Sequence, residues 1–120
     1  MNTVLQACKP PHCALIALLP VGIFQADAEG HYLWVNDRWY EMAGVPAAEA
    51  QGNGWVQALH PDDRGRVFAE WYRAVQENLP FQSEYRFQRP DGKITWVLAQ
   101  AVAEKNETDT VTGYIGTITD

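Results

Sequence analysis

The sequence predicts an antiparallel α+β domain, and three observations predict it. Strand-like segments stand on both sides of a central helix-like block, with no regular strand–helix alternation and no internal repeat. The C-terminal segment Gln82–Asp120 reads as two or three consecutive strands, hinged at Pro90-Asp91-Gly92. Proline fixes one φ and glycine admits a positive one, the combination a tight hairpin needs. Finally, both faces of the strand after this hinge are partly apolar, so the sheet needs cover on both sides.

Taken in order, residues 1–11 carry little pattern, and His12–Leu19 suits a short helix that must stop before Pro20. Gly22–Asp27 reads as a strand, Ala28-Glu29-Gly30 as a turn, and His31–Val35 as the antiparallel partner. Asn36 is an N-cap residue for a helix over Asp37–Ala43, and Gly44 occupies the position where a helix ends in the left-handed region. Pro46 opens a second short helix over Ala47–Ala50, closed by Gly52, and Trp55–Leu59 suits one more helical turn. The principal helix starts at Pro61. Val67, Phe68, Trp71, Tyr72 and Val75 recur at helical spacing, with charged residues opposite, and Asn78 and Pro80 end it. In the following strand Phe81, Ser83, Tyr85 and Phe87 share one parity and should face the helices. Val97, Ala99 and Ala101 do so from the next strand, leaving Trp96, Leu98 and Gln100 outward.

At 120 residues, 47% hydrophobic and 20% charged, the chain is long enough for one cored domain. Nine basic residues against fifteen acidic ones, scattered and giving a net charge of −6, argue against a nucleic-acid surface. Cys8 and Cys13 form neither a disulfide framework nor a zinc pattern and read as reduced thiols, whence a cytoplasmic location is expected. The apolar run from Cys13 to Phe24 is too short to span a bilayer, and its prolines oppose an export signal, so no membrane contact is expected.

The order of elements, with its landmark residues, resembles a PAS sensory domain over about residues 20–120, leaving 1–19 as an extension with a short helix. Asp27 with Gly30 looks like the first hairpin turn of that family. Asn36, Trp39, Met42 and Gly44 match its pattern after the second strand, and His60-Pro61-Asp62-Asp63 resembles the entry to its long helix. Tyr85-Arg86, Asp91-Gly92 and Trp96-Val97 resemble the terminal hairpin of the subclass called PAS fold 3, and Gly113–Asp120 looks like the last strand and its exit motif. The resemblance implies a five-stranded antiparallel sheet in the order 2-1-5-4-3, with helices on one face around a small pocket. It also implies a non-enzymatic sensing or dimerising module that signals to a C-terminal output domain: a histidine kinase, a cyclic-di-nucleotide enzyme or a transcription regulator. An excised N-terminal domain of a longer bacterial signalling protein is expected.

On this frame the pocket residues are Leu33, Val35, Asn36, Tyr40, Trp71, Tyr85, Phe87, Val97 and Ala99, for a small-molecule ligand of unspecified identity. The outer, signalling face of a homodimer is expected from Leu15, Leu18, Leu19, Trp96, Leu98, Tyr114 and Ile118. Covalent photochemistry needs a cysteine after Cys13, and there is none. A redox or gas sensor with non-covalent flavin or haem is an alternative, since five Trp, five Tyr and four Phe suit a flat cofactor and Asn36 suits a flavin edge. Those aromatics equally suit a small core, and Asn36 a helix cap. The family's haem-binding histidines lie in the long helix, and residues 61–79 contain no histidine. An alternative of another class is a small cone-shaped enzyme using His60 for acid–base chemistry. Its nearest acids, Asp62 and Asp63, are expected at an exposed helix start, where they suit the helix dipole, and no metal site is expected.

Overall fold

The computed structural model describes residues 21–120. The elements run β1 (Gly22–Asp27), β2 (Tyr32–Val35), α1 (Asp37–Ala43), α2 (Ala47–Ala50), a 3₁₀ segment (Gly54–Ala58), α3 (Pro61–Glu77), β3 (Phe81–Gln88), β4 (Ile94–Lys105) and β5 (Val111–Thr119). The five strands form one antiparallel sheet in the order β2-β1-β5-β4-β3, as the resemblance implies. The expected N-terminal helix lies outside the described residues.

Turn chemistry sets each hairpin. The Asp27 carboxylate accepts from the amides of Glu29 and His31, both at 2.9 Å, while Gly30 takes φ 89°. At the second hinge Asp91 accepts from the Lys93 amide and Gly92 has φ 91°. At the third, Asn106 accepts from the amides of Thr108 and Thr110, and Asp109 supplies the positive φ of 64°.

The helices cover one face of the sheet. Helix α3 lays Val67, Trp71, Ala74 and Val75 onto it, and β3 answers with Phe81, Ser83, Tyr85 and Phe87, all buried. On β4, Val97, Ala99 and Ala101 are buried in register with Tyr85, Ser83 and Phe81. Small residues there make room for aromatics. At Gly116 an added methyl group would strike the Phe24 ring and the Gln100 carbonyl, so glycine is required by close approach.

Two residues assigned to the outer face belong to the inner one. Tyr114 pairs with Ala26 and Ala103, is buried, and donates its hydroxyl to the Val75 carbonyl at 3.0 Å; Ile118 pairs with Ala99 and is fully buried. The antiparallel register ties β5 to the inward alanines of β4 and β1, placing Ile115 and Thr117 outward instead. Two others expected in the interior stand at the surface: Leu33 is 46% exposed and Tyr40 47%. A register shift opposite Gln25/Ala26 takes Leu33 out of the pairing, and Trp39, Met42 and Ala43 occupy the buried side of α1.

Candidate functional site

Between sheet and helices lies an aromatic cluster with Tyr32 at its centre. Phe24 stacks on one side of that ring (centroids 4.7 Å, planes 3° apart) and Trp55 on the other (5.0 Å, 13°). Trp39 and Trp71 meet it edge-on at 6.4 and 6.3 Å. Trp55 reaches this position from the 3₁₀ segment, whose entry at Gly54 presses on the Glu49 carbonyl so closely that no side chain fits. Trp71 and Tyr114 have their polar tips matched, the indole donating to the Gly30 carbonyl at 2.9 Å and the phenol to Val75. The indole N–H groups of Trp39 and Trp55 are buried and have no partner among the described residues. Burial pushes the Tyr32 and Tyr85 phenols above their ordinary pKa, and for Tyr32 the nearness of Tyr85 adds to the rise.

Of the residues predicted for the pocket, Val35, Trp71, Tyr85, Phe87, Val97 and Ala99 are buried in the core around this cluster. Asn36 is consumed by the scaffold. Its carbonyl oxygen accepts from the amides of Ile23 (2.8 Å) and Trp39 (3.0 Å), and its amide donates to the Val21 carbonyl (3.0 Å). Sequence pattern singles out neither Trp39 nor Trp55 as a site residue, because it places them on short helical segments without saying which way an indole tip points.

Around His60 the geometry is that of a helix start. The ring Nδ1 accepts from the Asp62 amide at 3.1 Å, and its backbone N–H donates to the Arg86 carbonyl. Asp62 is exposed, but Asp63 is buried, correcting the expectation that both acids are solvated. Its carboxylate accepts from the Arg86 amide (2.9 Å), Nε (3.0 Å) and Nη2 (2.7 Å). These bonds hold its pKa below the ordinary carboxylate value, against the opposing effect of burial. Of the two acids beside His60, Asp63 therefore serves the edge of β3. At the first hairpin Asp27, Glu29 and His31 bring ligand-type atoms within 4.8 Å, but the Asp27 carboxylate is already engaged by two amides of its own turn.

The opposite face of the sheet is broad and mixed. Trp96 (62% exposed), Val102 and Ile94 stand out from β4, with Leu98 half-buried beside them; Leu15, Leu18 and Leu19 lie outside the described residues. The Arg86 guanidinium lies 5.2 Å from the Trp96 ring centre, as a cation–π contact. A groove of about 480 Å³ lies on this face at the Val102 end of β4, lined by Ile23, Gln82, Gln100, Val102, Ile115 and Thr117 among others. Towards β2, the Trp34 indole donates to the Gln25 side-chain oxygen Oε1 at 2.6 Å, and Gln25 Nε2 donates to the Glu104 carboxylate at 3.0 Å. No helix among the described residues is long and apolar enough to cross a membrane.

Comparison with known proteins agrees with this architecture. The chain is 34% identical over 119 residues to an uncharacterized protein of Sinorhizobium fredii, covering 99% of this chain and 14% of that one. It is 30% identical over 107 residues to the peroxide stress-activated histidine kinase mak1 of Schizosaccharomyces pombe, covering 88% of this chain and 6% of the kinase. The chain thus spans a small fraction of either relative. Among solved structures, the PAS domain of a Colwellia psychrerythraea protein superposes with a TM-score of 0.73 at 20% identity, over 98% of this chain and 96% of that one, a likeness of fold. A family profile described as PAS fold matches residues 32–118, and the chain belongs to that family.

Proposed function

We propose that residues 20–120 form a sensory and dimerisation module, with residues 1–19 as an extension. In this reading a small molecule is held between the sheet and the helices, and the signal leaves through the outer face of the sheet towards an attached output domain. The observation that carries it is the pairing of two surfaces on β4: Val97, Ala99 and Ala101 face the aromatic cluster, while Trp96 and Val102 on the same strand stand exposed on the far side. A change in the interior that moves β4 therefore moves the outer surface with it. The likeness to a histidine kinase supports a kinase as one class of output. The domain itself is non-catalytic in this reading, its partners being a second copy in a cytoplasmic homodimer and the output domain.

Native mass spectrometry of the purified chain tests the reading, since it reports a retained small molecule and the subunit count together. A dimer carrying extra mass that denaturation releases is the expected result; a bare monomer at all concentrations contradicts it. A visible absorption band would assign the interior to a flavin or haem instead.

A further inference from the structure

Two side chains on the outer face of the sheet are buried where an open sheet would leave them wet. Phe24 enters the interior cluster, so its neighbours Ile23 and Gln25 point to the opposite face, and Trp34 is paired with Gln25. Yet Ile23 is only 2% exposed and Trp34 8%, and neither belongs to the interior cluster. On the same face Trp96 and Val102 are 62% and 55% exposed. The face is therefore divided, covered over β1 and β2 and open over β4.

The polar groups follow the same division. The Trp34 indole, Gln25 and Glu104 form a chain of hydrogen bonds at 2.6 and 3.0 Å, the pairing expected of polar groups taken out of water. Ile23 also lines the groove of about 480 Å³, with Val102 and Ile115, and none of the groove's lining residues carries a charge.

A segment of matching chemistry runs into this place. Asn36 fixes the entry to β1 by holding the Val21 carbonyl and the Ile23 amide. Upstream, Ala14 to Leu19 carries no polar side chain. Leu15, Leu18 and Leu19 stand at i, i+3 and i+4, one stripe of the short helix that the sequence predicts. Leu19 is four residues from Ile23, and Pro20 gives the chain a turn between them. A second copy fits the covered part less well, because it would bury Trp96 and Ile23 alike.

We propose that residues 13–19 dock on the outer face of their own domain, laying Leu15, Leu18 and Leu19 against Ile23, Ile115 and Trp34. The open part around Trp96 is left to the second copy. The inference deepens the reading of the outer face as the signalling surface, and it needs no ligand in the interior.

Nuclear Overhauser contacts in the methyl-labelled full chain test it. A second sample mixes labelled with unlabelled chains, and isotope filtering then reads contacts between chains alone. Contacts from the Leu15, Leu18 and Leu19 methyls to Ile23 and Ile115 are expected in the first sample and not in the filtered one. In the full chain carrying Leu15→Asp with Leu18→Asp, hydrogen exchange at the Trp34 indole should quicken tenfold or more. The Trp71 indole, bonded to Gly30 in the interior, should exchange as in the parent. Contacts seen only between chains overturn the inference in favour of the partner's segment. Absence of any such contact, or a Trp34 exchange rate that the substitutions leave unmoved, overturns it outright. Sedimentation of the parent reads the dimer separately, so a monomer would count against the proposed function and leave docking within the chain standing.

Discussion

Asn36 joins three pieces of backbone that would otherwise be held separately. One side-chain oxygen caps α1 through the Trp39 amide and also receives the Ile23 amide from β1, while the amide group holds the Val21 carbonyl. Replacing it with alanine removes the cap and leaves part-buried backbone groups unpaired. A loss of about 2 kcal/mol is expected in urea unfolding, at the upper end of cap substitutions. Asn36→Asp keeps both accepted bonds and should lose markedly less. Tyr114 makes a similar link from β5 to the last turn of α3, donating to Val75. Tyr114→Phe should cost about 1 kcal/mol, the net worth of one buried hydrogen bond, with the near-ultraviolet circular dichroism otherwise retained. The cap at Asn36 is legible in the sequence because capping is local. The inward side of Tyr114 is not, because glycines at 113 and 116 blank out the alternation from which a strand's parity is read.

Strand β3 lies at the edge of the sheet, where unpaired backbone invites association with another strand. The start of α3 closes part of that edge. His60 donates its N–H to the Arg86 carbonyl, Asp63 accepts the Arg86 amide, and Leu59 bridges to Phe87. The helix start is legible in His60-Pro61-Asp62-Asp63, yet the roles of the two acids diverge for a reason 23 residues away in the chain. Local rules see a dipole at both; only the fold brings Arg86 to Asp63. The consequence for acid stability has a definite sign. Asp63 is held below its ordinary value of 3.8, so the unfolded chain binds its proton more readily than the folded one. The stabilisation is complete above the unfolded value and is lost as pH falls through the lower, folded one. Asp63→Asn should therefore be less stable than the parent at pH 7. The gap should close progressively below about pH 4, in urea midpoints measured from pH 7 to pH 2.5. A difference that stays constant across this range would show that the pair does not carry the acid sensitivity.

The helix extents and the inward residues of β3 and β4 follow from patterns of period two and period 3.6, whereas strand order and the side the helices cover follow only from the resemblance to the PAS family. The assignment of interior and exterior surfaces was readable wherever those patterns run unbroken. It failed at Leu33, where pairing shifts register, and at Tyr40, where a seven-residue helix offers too few turns to define its buried side. What the completed fold adds is the relation of the two faces of β4. The outer face presents Trp96, Val102 and Ile94 as exposed apolar groups, with Val102 also lining a groove, and the Arg86 guanidinium holds the Trp96 ring. A stable dimer buries roughly 800 Å² on each partner. Aromatic side chains near the centre of such a contact dominate its energy. If the outer face joins two copies as proposed, Trp96→Ser with Val102→Asp should leave far-ultraviolet circular dichroism and thermal unfolding of the monomer nearly unchanged, because neither side chain enters the core. The same pair should shift the sedimentation profile from dimer to monomer at concentrations where the parent remains dimeric, weakening association by about a hundredfold or more. Trp96 fluorescence supplies the second readout: quenching by iodide should be weak in the parent dimer and strong after dilution below its dissociation constant. A parent chain that sediments as a monomer at every concentration, or a double variant that dimerises as tightly as the parent, would move the signalling surface elsewhere on the domain.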